Sequence, residues 1–142
     1  MIAIDTNLLV YAHRRQAVQH RAAQKAIERA IAQGRGWGIP SPCIAEFWCV
    51  VTHPASSGGP SSGEAARDFL RTLVDVGGAN IWTPGADFWE HLTRLGSDLK
   101  IAGARIFDLQ IALIALKNGA TELWSHDRSF LGIAGLAVRD PL

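Results

Sequence analysis

Four acidic side chains stand where an acid is unexpected, and together they could act on a phosphate. Asp5 ends the first apolar run, Met1 to Ile4, and is followed at once by Thr6 and Asn7. Glu46 is the only charged side chain between Pro42 and Thr52, in a segment otherwise built of Cys43, Ile44, Phe47, Trp48, Cys49, Val50 and Val51. A glutamate in such a setting needs a cation or a full set of hydrogen bonds to offset its desolvation. Asp108 is the only acid between Asp98 and Glu122 and opens the most apolar stretch of the chain, and Asp127 lies two residues past Ser125. Taken alone, Asp108 is explained by capping or by the positive end of a helix dipole. As a set the four ask for more. Carboxylates brought within a few ångströms raise one another's pKa values, and a bound hard cation removes that conflict. Carboxylate oxygens are the donors that magnesium and manganese take, and a site that leaves waters on the ion suits a phosphate-bearing substrate.

Whether the four meet depends on the elements that carry them. Met1 to Ile4 reads as a buried strand, a helix begins near Leu8, and an amphipathic helix spans Val18 to Gln33 with Ala22, Ala23, Ala26, Ile27, Ala30 and Ile31 on one side. Gly34 to Gly38 breaks it before a short strand at Ile39. Ser41 and Pro42 are a cap and first-turn pair for the helix carrying Glu46, whose nearly continuous apolar surface predicts burial on both sides. Ser61 to Glu64 fits a capping box ahead of a helix over Ala65 to Val76. Ile81 to Thr83 is a third strand, a helix carries Phe88, Trp89, Leu92 and Leu95, and another runs from Ile106 to Lys117 until Asn118-Gly119 stops it. Leu123-Trp124 and Leu136 to Val138 are the last two strands. Strands alternating with helices predict an α/β chain with a parallel sheet covered on both faces. Ligands of such sheets bind outside the carboxyl ends of the strands, where Asp5 and Asp127 fall.

The chain has 142 residues, 48% of them hydrophobic, and a net charge of +1, enough for one domain with a real core. That balance excludes a disordered chain and excludes nucleic-acid binding by bulk charge, leaving only local basic clusters. Cys43 and Cys49, six apart on one helix, cannot bridge each other and read as small buried hydrophobes of a reducing compartment. Asp5 interrupts the first apolar run, so no secretion signal is expected. The longest aliphatic run, Ile111 to Leu116, is far short of the ~20 residues of a membrane span. A soluble, cytoplasmic domain is the expectation. The Pro54 to Gly63 stretch, PASSGGPSSG, reads as a flexible surface loop.

Arg14, Arg15, Lys100, Arg105 and Arg128 are the candidates for phosphate contacts, each equally explained as a solvated surface charge. His13 and His20, seven apart, read as surface residues, and His126 as a turn histidine. Trp48 and Trp124 lie in apolar segments and read as packing. Trp37, between two glycines, is free to stack on a base, to meet a partner, or simply to stand exposed.

The run from Met1 through Asp5-Thr6-Asn7, the isolated Glu46 after Ser41, Phe107-Asp108 opening an apolar helix, and Ser125-His126-Asp127 together resemble the PIN domain nucleases. The size and the order of motifs most resemble the VapC toxins of bacterial toxin–antitoxin pairs, and the similarity covers residues 1–142 as a single domain. The resemblance implies an α/β/α sandwich around a mainly parallel sheet of about five strands. It further implies a metal-dependent endoribonuclease, a homodimer, and a small antitoxin protein that covers the site. By position, Asp5, Glu46 and Asp108 match the family's main metal-site acids, Asp127 the less strictly required fourth, and Thr6, Asn7 and Ser125 their polar neighbours. The implied chemistry is in-line attack on the RNA phosphodiester by a water activated by magnesium or manganese, giving 5′-phosphate and 3′-hydroxyl ends.

Three other readings compete. A housekeeping RNA-processing nuclease keeps fold and metal and changes only the role. A phosphatase with Asp5 as nucleophile wants a second aspartate two positions on, where Asn7 stands. A regulatory module with a phosphorylatable aspartate leaves Glu46 and Asp108 unexplained.

Overall fold

The computed structural model describes all residues, 1–142. Five strands, β1 (Ile2–Ile4), β2 (Trp37–Pro40), β3 (Asn80–Trp82), β4 (Glu122–Trp124) and β5 (Ala137–Arg139), form one parallel sheet in the order β3-β2-β1-β4-β5. Six helices connect them: α1 (Thr6–His13), α2 (His20–Ala32), α3 (Ser41–Thr52), α4 (Gly63–Asp75), α5 (Phe88–Asp98) and α6 (Arg105–Lys117). Consecutive strand residues point to opposite faces, and in β1 and β2 every residue is buried. The centre of the sheet is therefore covered on both sides, as parallel sheets require, while the edge strands β3 and β5 are partly exposed. The expected α/β sandwich of about five strands is what the chain forms.

The strand order has one consequence for the site. From β1 the chain builds outward through β2 and β3, then returns to add β4 on the other side of β1. Connections leave β1 and β4 in opposite directions, which opens a crevice at their carboxyl ends. The register places Ile4 beside Trp124, and the Asp5 N–H donates to the Trp124 carbonyl at 3.0 Å. Asp5 and Ser125 therefore emerge side by side into that crevice.

Local details differ from the expectations in ways that tertiary packing explains. Strand β2 begins at Trp37, inside the predicted break, because the Trp37 ring is buried and its Nε1–H donates to the Gly77 carbonyl at 2.8 Å. Gly38 follows from the same packing, since a Cβ there would meet the Trp82 ring at 2.5 Å. Helix α3 starts without a loop. Pro40 is its N-cap, Ser41 is already helical, and Ser41 caps nothing. At α4 the cap is Ser62, whose Oγ accepts from the Ala65 N–H at 3.1 Å, so the box of Ser61 with Glu64 does not form. Ser61 bonds the His13 Nε2 instead, at 2.9 Å. His13 is accordingly no plain surface residue: it packs edge-on between Phe47 and Phe69.

Helix α3 is not buried on both sides. Cys43, Phe47 and Val51 face the core, while Trp48 and Val50 are about 45% exposed and Cys49 is exposed as well. Trp37 and Trp48 thus exchange the places expected of them. The Pro54–Gly63 stretch is tied to the body by Arg14, which donates to the Ser57 and Gly59 carbonyls at 2.8 Å and to the Val51 carbonyl at 3.0 Å. No helix is long and apolar enough to cross a membrane.

Candidate active site

Asp5 is the N-cap of α1 and only 5% exposed, at the floor of the crevice between β1 and β4. Its carboxylate is held by three N–H and O–H donors, with the buried Cys43 thiol as a weaker fourth at 4.0 Å from Oδ1. The Thr6 N–H reaches Oδ1 at 2.7 Å, while the Asn7 amide and the Ser125 hydroxyl reach Oδ2 at 2.7 and 2.6 Å. The same asparagine amide donates to Ser125 Oγ at 2.9 Å, and its carbonyl accepts from the His126 N–H at 3.0 Å. Each of the predicted supporting residues therefore touches the floor of the site. Thr6 does double duty, donating its hydroxyl to Glu46 Oε2 at 2.6 Å.

Glu46 comes from α3, Asp108 from the first turns of α6 and Asp127 from the turn after β4. With Asp5, Thr6 and Asn7 they line one cleft of about 380 Å³. All four predicted acids are thus brought together. Asp108 caps nothing, since the helix N-cap is Ala104. Val10, Tyr11, Val50, Ile111 and Phe130 form the rest of the wall, and none of them was singled out from sequence. Tyr11 was legible in principle, because it lies one turn beyond Asn7 on the same face of α1.

The electrostatics record the crowding. Burial lifts the Asp5 carboxyl from 3.8 to about 6, against the pull of Ser125 and Thr6 and with the help of charge on Glu46 and Asp108. Asp108 is also raised, first by burial and then by Asp127 and Glu46, while the Leu131 N–H and Arg105 pull it down. Asp127 moves the other way. It is exposed, and the Ser129 hydroxyl and N–H hold it below the usual range.

None of the five basic candidates lines the cleft. Arg105 is the nearest in effect, acting on Asp108 and Asp127 from its bond to the Ser129 carbonyl at 3.1 Å. Arg14 holds the loop, Arg15 stands beside it, and the charge of Arg128 acts on Asp140. Lys100 sits just past α5 with a left-handed φ of 53°. His126 does not line the cleft; its ring bonds Asp140 at 2.9 Å and packs edge-on against Tyr11 of the cleft wall.

The donor chemistry fits a hard divalent ion. Four carboxylates face one cleft, and Asp5 and Asp108 are raised by burial first and by their neighbours' charge in addition. No three of the histidine, cysteine, aspartate or glutamate side chains converge closely enough to hold an ion by themselves. Magnesium does not require that, since it is usually held by one or two carboxylates, with water and phosphate completing its octahedron.

Residues 2–136 match the PIN domain family. The chain belongs to that family. Among relatives of this PIN domain, ribonuclease VapC43 of Mycobacterium tuberculosis is 34% identical over 142 residues, covering all of this chain and 96% of the relative. Ribonuclease VapC48 of the same organism is 29% identical over 143 residues, covering 96% and 94%. Solved structures agree in fold. A chain of the crystal structure of VapBC2 from Rickettsia felis, bound to a DNA fragment from their promoter, superposes with a TM-score of 0.67 at 21% identity, covering 98% of each chain. VapC20 of M. tuberculosis, a toxin that cleaves the sarcin–ricin loop, gives 0.66 at 13% identity over 92% of each chain.

Proposed function

We propose that this PIN domain is a magnesium- or manganese-dependent endoribonuclease and the toxin of a toxin–antitoxin pair. The convergence of Asp5, Glu46, Asp108 and Asp127 on one cleft at the β1/β4 crevice carries the reading. The ribonuclease names of the full-length relatives support the substrate class, and the VapBC complex supports an antitoxin partner. A homodimer acting in the cytoplasm completes the proposal.

One or two of Asp5, Glu46 and Asp108 would ligate the ion directly and the rest would reach it through its waters, with Asp127 at the rim. Such an ion supplies Lewis acidity toward water and toward the phosphoryl oxygens. The chain's own residues fix the frame. Three donors keep the Asp5 carboxylate from turning, and Thr6 Oγ1 holds Glu46 in place from the same helix turn. Ser125 and Asn7 join Asp5 to the Asp127 turn, since Ser125 Oγ also accepts from the Asp127 N–H at 3.0 Å. Arg105, beside Asp108 and Asp127, is placed to offset charge on an incoming phosphate. Lys100 and Arg128 contribute to RNA binding only through longer-range attraction.

The test incubates purified protein with mixed RNA in magnesium or manganese, beside Asp108→Asn and an EDTA control. Cleavage lost in both controls, with 5′-phosphate ends on the products, is the expected result. Equal cleavage by all three overturns the reading.

A further inference from the structure

The carboxylate cleft does not end at its own walls. Along Val10, Tyr11 and Val50 it meets a second hollow of about 290 Å³, which in turn meets a third of about 260 Å³ along Arg14 and Gln16. The three form one groove beside α1. From Asn7 to Arg14 the helix advances roughly 10 Å at ~1.5 Å per residue, long enough for more than one nucleotide of an extended strand. The groove changes character along that path. It begins with carboxylates, passes an apolar stretch walled by the Tyr11 ring, and ends in a mostly polar pocket that holds two arginines, no acidic side chain and only Pro60 as an apolar one.

That last pocket is built rather than incidental. Arg14 spends its guanidinium on three neutral carbonyls of the 51–59 segment, which fixes the loop without cancelling the arginine's charge. Gly58 and Gly59, at φ +80° and +85°, let the loop fold back over Gln16. Beside them Arg15 is exposed and makes no ion pair. The pocket therefore has one cation committed to structure and one free.

We propose that this groove carries the RNA strand away from the cleavage site, a base against Tyr11 and the neighbouring phosphate in the pocket at Arg15. The inference rests on the ribonuclease reading and gives that site a direction. A nucleic-acid strand supplies an anion and a flat ring in every repeat, matching the order of carboxylate-held cation, aromatic wall and free arginine. A peptide would need acidic and aromatic side chains at matched spacing. Arg14 is the frame of the pocket, and Arg15 makes the contact.

The experiment measures fluorescence anisotropy of a short, end-labelled single-stranded RNA of mixed sequence, in EDTA to prevent cutting, across a salt series. Wild type is compared with Arg15→Ala, Tyr11→Leu and Arg35→Ala, the last an equal charge change at an exposed site before β2, at the opposite end of the sheet. Arg15→Ala should weaken binding and lower the slope of log affinity against log salt by about 0.7, the share of one phosphate on a single strand. Tyr11→Leu should weaken binding with the slope unchanged, and Arg35→Ala should leave both as in wild type. If Arg15→Ala matches Arg35→Ala while wild type still cuts RNA in magnesium, the groove is wrong and the ribonuclease reading stands. A wild type that neither binds nor cuts RNA overturns both. Polyglutamate that binds through Arg15, with RNA binding indifferent to that residue, assigns the pocket to an acidic peptide and overturns the proposal.

Discussion

Asp5 and Asp127 close the same cleft from neighbouring strands, and their carboxyls are shifted in opposite directions. Both accept hydrogen bonds from a hydroxyl and a backbone N–H. The floor aspartate is nonetheless raised to about 6, whereas the rim aspartate is lowered. Hydrogen bonding cannot account for the difference; burial and neighbouring acids can. At the rim, water solvates the charge and the Ser129 bonds add to that. At the floor, three donors only partly offset lost solvation and the fields of Glu46 and Asp108. The floor is thus the part of the fold that is costly to build, and the cation proposed for the cleft would relieve it.

The largest expected effect follows from that contrast. If Asp5 holds the ion as proposed, Asp5→Asn should lower RNA cleavage by on the order of 10³-fold, since losing it would remove several kcal/mol of transition-state stabilisation. Single-turnover cleavage in magnesium measures it. The substitution also puts an amide where only donors point, so neither of its orientations satisfies Thr6, Asn7 and Ser125 together. Retention of most activity would break the assignment of the floor.

The second effect is on stability without metal. Asp5 binds its proton more tightly folded than unfolded, so the folded state holds more protons between about pH 4 and 6. Stability from this group is full below about 4 and falls as pH rises through 6, by ~3 kcal/mol at ~1.4 kcal/mol per pKa unit. Asp127 and Asp140, both lowered, act in the opposite sense, but they are solvated and screened, so their shares are small. Urea unfolding in EDTA at stepped pH, wild type minus Asp5→Asn, isolates the Asp5 share. A difference that does not change with pH would remove the floor's distinction.

How far the site could be read before folding depends on which contacts decide each residue. Asp5 and Asp127 were legible because strand ends and the rule for parallel sheets are local facts. Thr6 and Asn7 were legible because they adjoin Asp5. Glu46 and Asp108 stood out as lone acids in apolar segments. What was lost depends on distant partners. Trp37 between two glycines looks like a loop until the carbonyl of Gly77 is brought to its ring nitrogen. The uniformly apolar α3 does not reveal which side the sheet covers, so its pattern predicts Trp48 as packing where the fold leaves it half exposed. Arg14 looked like a phosphate contact because the carbonyls that occupy it lie some 40 residues further along.

A third effect tests the link between floor and rim. Ser125 Oγ donates to Asp5 and accepts from Asn7 and the Asp127 N–H, and it is buried. Ser125→Ala leaves those groups short of partners and should cost ~1–3 kcal/mol of stability, whereas Ser125→Thr keeps the hydroxyl and should cost less. Thermal unfolding compares the two. The alanine variant should also push Asp5 higher, because the largest force lowering it is gone.

The smallest effect belongs to Asp127→Asn. Its Oδ1 closes a turn by accepting the Ser129 N–H and hydroxyl at 2.8 and 2.7 Å, and an asparagine carbonyl can accept both. The turn therefore survives, and with it the backbone that Ser125 and Asn7 hold in place. What is lost is one solvated charge at the mouth of the cleft, which also raises Asp108. Cleavage should fall only about tenfold, about 1.4 kcal/mol, and the loss should shrink as magnesium is raised, because a rim carboxylate acts on ion affinity more than on the reaction itself. Titrating magnesium against single-turnover rate for Asp127→Asn and Asp5→Asn measures both. A loss at Asp127 as deep as at Asp5, and as insensitive to magnesium, would mean that the two aspartates do equal chemistry and that burial is not what separates them.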